Sequence, residues 1–226
     1  MIRQAEAIEK IALFRDREHA ALLLAKMLER HRGTNSVILA VPRGGVPVGD
    51  IVARHLNLPM AILSCRKITH PGDSRRSIGS VSLQEVVIHD RERDLPQEYI
   101  QHTINRLRTG LRHKAKMYRN YDNVVNLKGK TVIVVDDWLT TGDTILAGLK
   151  DIRRQQPKEI IVAAPVLTIQ AHEAVSREAD GVIFVLLDDV ARLPAYKYFP
   201  PVNDEEVLRL VRRREQPQTT GTVQSQ

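Results

Sequence analysis

Two adjacent carboxylates, Asp136 and Asp137, end an apolar run, and a short loop rich in hydroxyl groups follows them. Carboxylates accept hydrogen bonds from sugar hydroxyls and bind hydrated Mg²⁺. The loop, residues 139–144, contains three threonines and one glycine, whose hydroxyl and backbone N–H groups suit an anion such as phosphate. The pattern therefore predicts that a phosphate and a diol with a metal ion meet at one place, as in a sugar phosphate.

The residues around this pair predict a strand, a loop and a helix in that order. Residues 131–135 are a β-branched apolar run, which is typical of a buried parallel strand, and a helical pattern covers about 144–155. Open α/β sheets bind ligands at the carboxyl ends of their strands. Because a helix N-terminus carries partial positive charge, the loop is predicted to be an anion site.

The stretch from Val132 to Thr144 closely resembles the motif with which type I phosphoribosyltransferases bind 5-phosphoribosyl-1-pyrophosphate (PRPP). That motif has four apolar residues, two acids, a few variable residues, Thr-Gly and a closing Thr, and each defining position is filled here. The resemblance implies that Asp136 and Asp137 are catalytic, bind the ribose hydroxyls and hold Mg²⁺ indirectly. It implies that the phosphate is bound by Leu139, Thr140, Thr141, Gly142, Asp143 and Thr144.

A second anion loop is predicted at Pro42-Arg43-Gly44-Gly45, between a strand at 36–41 and a helix at 46–56. The two glycines let backbone N–H groups approach an anion closely, and Arg43 adds a permanent charge. By the same resemblance this is the pyrophosphate-binding loop, which often carries a cis peptide in the family. A plain tight turn is the alternative interpretation of these four residues.

Arg66 and Lys67 follow a predicted strand at 60–64 and suit a departing pyrophosphate, so they complete the predicted catalytic set. They open residues 66–84, a polar stretch with Pro71, Gly72 and Gly79, which we interpret as one long loop. By resemblance it is a mobile catalytic lid, with Ser77-Ile78-Gly79 closing over the substrate. A polar loop without a function is the alternative.

Strands and helices alternate along the whole chain, which predicts an α/β fold with a doubly wound, mostly parallel sheet, as in the Rossmann-like type I phosphoribosyltransferases. One domain is predicted over residues 1–215, with a small hood built from the terminal segments. Residues 216–226 are polar and predict a disordered tail. The remaining elements are predicted as helices at about 14–30, 96–121, 169–178 and 203–214 and strands at 85–89, 159–166 and 181–187.

Three features concern the acceptor that would receive the phosphoribosyl group. Trp138 either walls a base pocket or packs in the core, and the segment from Tyr196 to Phe199 either stacks on a planar base or clasps the core. Hypoxanthine–guanine enzymes of the family carry an Asp where Thr140 stands. Because a threonine is no general base at neutral pH, Thr140 argues against 6-oxopurine chemistry of that type.

Composition narrows the classes of partner. The formal charge of +7 is compatible with nucleic acid, with an anionic substrate, or with solubility alone. Aromatic residues are only 4% of the chain, which argues against stacking platforms for single-stranded nucleic acid. The basic face of the helix at 96–121 is interpreted as solvated rather than as a nucleic-acid footprint; it consists of Arg106, Arg108, Arg112, Lys114 and Lys116.

The single cysteine, Cys65, excludes an internal disulfide, and the chain has no apolar run of membrane-spanning length or signal-peptide core. A cytoplasmic enzyme is therefore expected. The resemblance implies PRPP and a small nitrogenous base as substrates, Mg²⁺ as cofactor and a homodimer as the assembly. The expected activity is phosphoribosyl transfer in nucleobase salvage or related nucleotide metabolism. A PRPP-sensing regulator that binds nucleic acid is the alternative.

Overall fold

The computed structural model describes residues 13–89, 95–119, 125–188 and 195–215. Its centre is a parallel sheet, as the alternation of strands and helices predicts, so the predicted fold class is confirmed. The tail predicted at 216–226 lies outside the described residues. The strands of this sheet are β1 (Ser36–Ala40), β2 (Met60–Ile62), β6 (Thr131–Val135), β7 (Trp138–Leu139), β8 (Glu159–Thr168) and β9 (Gly181–Asp188).

The order of hydrogen-bonded strands is β2-β1-β6-β8, and β8 carries β9 along its other edge. The short strand β7 continues the line of β6, because Val166 of β8 pairs with Trp138 on one side and with Leu186 on the other. All of these pairs are parallel. The carboxyl ends of β1, β2 and β6 therefore meet at one edge of the sheet.

Alternate residues of each strand face opposite layers of helices. Ile133 and Val135 belong to one apolar cluster, together with α1 (Arg17–Met27), α2 (Gly45–Leu56) and α6 (Asp204–Glu215). Val132 and Val134 belong to the other cluster, with α4 (Asp143–Arg154) and α5 (Ile169–Val175). Burial on both faces explains why these strands are continuous apolar runs, which is the pattern that predicted them.

The long loop predicted for residues 66–84 is wrong. This stretch forms an antiparallel hairpin of β3 (Cys65–His70) and β4 (Asp73–Ser82), which joins β5 (Val86–Ile88) in a second sheet. Pro71 and Gly72 lie in the hairpin turn. The apolar residues that anchor the hairpin are too few and too widely spaced to show a two-residue period against its many polar positions.

The second sheet packs on a long helix, α3 (Gln97–Arg119), and on α4. Ile68 and Ile78 of the hairpin are fully buried against Ile104 of α3. The Ala147 N–H of α4 donates a buried 3.0 Å hydrogen bond to Ser80 Oγ. The interior side of the hairpin is therefore apolar and hydrogen-bonded, and the segment is a packed hairpin rather than a loop.

The two terminal segments come together beside the main sheet. Phe14 forms a parallel bridge with Tyr196, and its N–H donates to the Ala195 carbonyl at 2.8 Å. The helix predicted near residue 203 begins at Asp204, where the Asn203 side chain accepts the Glu206 N–H at 2.8 Å. None of the described helices is both long and apolar enough to cross a membrane.

Candidate functional site

The acidic pair lies directly beyond the last residue of β6, at the carboxyl edge of the main sheet. The Asp136 N–H donates to the Ala163 carbonyl at 3.2 Å, and the Asp137 N–H donates to Asp136 Oδ1 at 2.8 Å. The Tyr196 hydroxyl donates to the Asp137 carbonyl at 2.7 Å. These bonds hold both carboxylates at the point where the strand turns into the phosphate loop.

Arg17, at the start of α1, reaches Asp137 across the site. Its Nε donates to Asp137 Oδ2 at 2.7 Å, and both side chains are only 12% exposed. The same guanidinium donates to the Pro200 carbonyl at 2.6 Å and lies 3.7 Å from the centre of the Phe199 ring. Arg17 thus joins the acidic pair to the C-terminal aromatic segment, a role that its local sequence does not indicate.

The predicted pyrophosphate loop packs against the same carboxylates. A Cβ added to Gly44 would overlap Oδ2 of Asp137, and one added to Gly45 would lie 2.8 Å from Asp136 Cα. Only glycine fits at either position without displacing the acidic pair. The Pro42–Arg43 peptide is cis, as the family resemblance implied for this loop.

A cleft of about 360 Å³ joins three of the predicted segments. It brings together Arg43 of the predicted pyrophosphate loop, Arg66 and Lys67 of β3 and Thr144 of the phosphate loop. Helix α3 forms a further wall of this cleft and adds Lys114. The result is a concave, strongly cationic space at the carboxyl edge of the sheet, suited to a phosphorylated anion.

The phosphate loop ends at the N-terminus of α4, where Gly142 stands in a left-handed conformation with φ of 72°. The N-cap residue Gly142 has no side chain with which to cap this helix, and the helix N-terminus adjoins the loop that the sequence assigns to phosphate. Thr140 is exposed and Thr141 and Thr144 are half-buried. Leu139 is 3% exposed in the core, so only its backbone can contribute to the loop.

Asp143 is turned into the protein. It is 6% exposed, and its Oδ1 lies 3.1 Å from Nε2 of His89, which follows β5, although the two are not aligned as a hydrogen bond. The Asp143 N–H donates to Thr141 Oγ1 at 3.3 Å. The carboxylate therefore faces the second sheet, while its backbone stabilises the phosphate loop.

Trp138 packs in an aromatic group beside the acidic pair. Its ring centre lies 6.1 Å from that of Tyr196 and 6.0 Å from that of Phe199. Tyr196 is 6% exposed and belongs to the core with Phe14, whereas Phe199 is 39% and Tyr198 66% exposed. Trp138 and Tyr196 thus pack with the core beside the acidic pair, and Phe199 stacks on Tyr196 with their ring centres 4.4 Å apart.

The charge at the acidic pair is only partly compensated by the protein. Burial raises the pKa of Asp136 well above its usual range, the neighbouring Asp137 charge raises it further, and Arg17 partly opposes both effects. A hydrated cation would relieve this repulsion. The described residues contain no cluster of three or more His, Cys, Asp or Glu side chains that could hold a metal ion.

The basic face of α3 is partly used within the molecule. Arg108 donates to the Ser82 and Gln84 carbonyls, and Lys114 pairs with Asp204. These bonds weaken the case for a nucleic-acid footprint on this helix. Sequence reasoning placed Lys114 on a solvated face, and it gave Arg17 no role. Both connections link residues far apart in the chain, so no local pattern could reveal them.

Comparisons with known proteins show the family to which this domain belongs. The family model described as the phosphoribosyl transferase domain matches residues 12–190. The crystal structure of TT1426 from Thermus thermophilus is 34% identical, has a TM-score of 0.75, and is matched over 88% of this chain and 98% of that one.

Among curated proteins, the chain is similar to the provisionally named phosphoribosyl transferases MT0597 and Rv0571c of two Mycobacterium tuberculosis strains. Each is 28% identical over 207 residues, which are 89% of this chain and 47% of the relative. The chain thus spans about half the length of these curated relatives.

Proposed function

Because the chain belongs to the phosphoribosyl transferase domain family, we propose that it transfers the 5-phosphoribosyl group of PRPP to a nitrogenous base and releases pyrophosphate. The observation that carries this proposal is the cationic cleft in which Arg43, Lys67 and Thr144 meet. We propose with it a role in nucleobase salvage or related nucleotide metabolism and a homodimeric assembly, since the family resemblance implies both. The cytoplasm is the location that we propose.

In the proposed complex the phosphate of PRPP lies at the N-terminus of α4 and accepts hydrogen bonds from the hydroxyls of residues 140–144. The ribose hydroxyls meet the acidic pair, where Arg17 occupies Oδ2 of Asp137 and leaves Oδ1 as an acceptor. The pyrophosphate lies in the cleft with Arg43 and Lys67.

In the reaction, the bond from the anomeric carbon to pyrophosphate breaks as a nitrogen of the base bonds to that carbon and loses its proton. Positive charge develops on the ribose ring, and the carboxylates of Asp136 and Asp137 stabilise it electrostatically. Arg43, Arg66 and Lys67 stabilise the negative charge that grows on the leaving group. The carboxylates therefore stabilise the charge on the ribose side of the breaking bond, and the cations stabilise the charge on the pyrophosphate side.

Mg²⁺ is part of the proposal, because the family resemblance implies it and the carboxylate chemistry of the site fits it. When bound, the ion would neutralise charge on the pyrophosphate and make it a better leaving group. Asp136 and Asp137 would hold it through water. For the acceptor, Thr140 continues to argue against 6-oxopurine chemistry.

Calorimetric titration of PRPP with Mg²⁺ tests the site. We expect Asp136→Asn combined with Asp137→Asn to weaken PRPP binding about tenfold to a hundredfold, as for the loss of charge-assisted hydrogen bonds. Asp180→Asn is the control, because Asp180 is an exposed carboxylate paired with Arg153 elsewhere on the surface. Equal binding by the wild type and the double variant would show that the acidic pair has been misassigned.

Turnover needs a separate measurement, since binding alone does not distinguish an enzyme from a sensor. Pyrophosphate release is followed with PRPP and a panel of purines and pyrimidines. Release that requires one of these bases supports the proposal. PRPP binding without turnover of any base, together with a nucleic-acid affinity that responds to PRPP, would favour the regulator predicted as the alternative.

A further inference from the structure

The cations of the cleft lie on fixed elements of the fold. Arg66 and Lys67 lie on β3, whose partner strand β4 is hydrogen-bonded to it and buried against α3 and α4. In this arrangement Arg66 and Lys67 already line the cleft. Any further cation that lines the cleft would add to the charge that meets the leaving group.

Helix α3 supplies one more such cation. Leu111, Lys114 and Tyr118 line the cleft, and their spacing of three and four residues puts them on one face of the helix. The positive charges of Arg43 and Arg66 both act to lower the pKa of the Tyr118 hydroxyl. This face of α3 is therefore near the predicted pyrophosphate loop and β3, which carry these two arginines. Lys114 therefore faces the same space as the predicted pyrophosphate residues.

The position of the Lys114 ammonium is set by an acidic partner on another helix. Nζ lies 3.0 Å from each carboxylate oxygen of Asp204 at the start of α6, and the Tyr118 hydroxyl donates to Asp204 Oδ1 at 3.1 Å. An ammonium has three N–H donors. Within the described part of the chain, Asp204 uses two of them, which leaves a third for an acceptor in the cleft.

The Asp204 carboxylate is itself held in its charged form. Partial burial favours the neutral carboxyl, but hydrogen bonds from Lys114 and Tyr118 outweigh burial, so the pKa of Asp204 lies below its usual value. The Lys114 side chain is 26% exposed, so it is neither locked in the core nor fully solvated. Such an ammonium is pre-placed and can still donate to a phosphate oxygen as an additional partner.

We infer that Lys114 is a pyrophosphate-binding residue contributed by α3, and that Asp204 and Tyr118 are positioning residues that hold its ammonium toward the cleft. The inference rests on the proposed function, because it assigns Lys114 to the leaving group of that reaction. Its ligand class is a diphosphate, alone or as part of PRPP. If the Lys114–Asp204 ion pair only held α3 and α6 together, its loss would not change the affinity for ligands.

Binding of inorganic pyrophosphate with Mg²⁺ is measured by calorimetry for the wild type, Lys114→Gln and Lys114→Arg. We expect Lys114→Gln to weaken pyrophosphate binding about tenfold to a hundredfold, since one charge-assisted contact is lost, and Lys114→Arg to recover most of it. Ribose 5-phosphate, which lacks the pyrophosphate, is the second probe, and its affinity should change less than about twofold.

Lys116→Gln is the matched control, because Lys116 is an exposed lysine on the same helix and its loss changes the net charge equally. The free energy of unfolding in urea measures how much the Lys114–Asp204 ion pair stabilises the fold, separately from its effect on ligand binding. Pyrophosphate affinity that is equal in the wild type and Lys114→Gln overturns the inference, whatever happens to stability. A wild type that binds neither PRPP nor pyrophosphate overturns the proposed function as well, which distinguishes the two failures.

Discussion

Arg17 and Asp137 form an ion pair at the centre of the site, with Nε 2.7 Å from Oδ2 and both side chains 12% exposed. The pair connects the first helix to the acidic motif, although 120 residues separate the two in the chain. The guanidinium also contacts the Pro200 carbonyl and the Phe199 ring. One side chain thus contacts both the Asp137 carboxylate and the C-terminal aromatic segment.

Arg17→Gln should lower the free energy of unfolding by about 2–4 kcal/mol, because it leaves the largely buried Asp137 carboxylate without its cation. Urea unfolding at neutral pH measures the change. Arg15→Gln is the control, since Arg15 is 69% exposed and should have little effect. If the two variants unfold alike, the Arg17–Asp137 pair does not stabilise the fold.

Gly44→Ala should destabilise the protein by more than about 3 kcal/mol or prevent folding, because its Cβ would overlap Oδ2 of Asp137. Gly110→Ala provides the contrast. Gly110 lies within α3 with nothing within 4 Å of an added Cβ, so alanine should stabilise by about 0.5–1 kcal/mol. Thermal unfolding of both variants checks the opposite signs, and a mild effect at Gly44 would contradict the close packing.

Asp143→Asn should strengthen binding of ribose 5-phosphate about threefold to tenfold, because it removes a negative charge beside the proposed phosphate loop. The backbone bond from Asp143 to Thr141 is retained, so the loop itself should persist. Calorimetry with ribose 5-phosphate measures the affinity, and Asp180→Asn controls for a charge change elsewhere. Unchanged or weaker binding by Asp143→Asn would mean that its carboxylate does not oppose phosphate.

Asp16 should make stability depend on pH. Its carboxylate caps α1 by accepting the His19 N–H at 2.8 Å, and this bond, followed by the one from Arg15, lowers the pKa of Asp16. A lowered folded-state pKa contributes stability above the unfolded value, near 3.9, and loses it as pH falls through the folded value.

Asp16→Ala should therefore cost about 1 kcal/mol at neutral pH, and its difference from the wild type should shrink below about pH 4. Urea unfolding across pH 3–7 measures this difference. Asp16→Asn is the control, since it keeps a capping oxygen but cannot titrate. A difference between Asp16→Ala and the wild type that does not vary with pH would rule out the charged cap.

The main sheet could be predicted from sequence because its signals are local. Residues 131–135 form β6 as the apolar run predicts, and the helix beyond the phosphate loop begins one residue earlier than predicted. The hairpin at 66–84 was missed for a physical reason. Its few apolar side chains are stabilised by contacts with α3 and α4, which no short stretch of sequence displays.

The sequence by itself determined the α/β class and predicted the two carboxylates and the anion loops, because strand and loop propensities act over a few neighbouring residues. Tertiary structure alone decided which charges meet these segments. Arg17 reaches Asp137 across 120 residues, and Lys114 reaches Asp204 across 90. Such contacts depend on how the helices pack on the sheet. The sequence pattern therefore indicated where the candidate site lies, and the packing of the helices decided which charged side chains surround it.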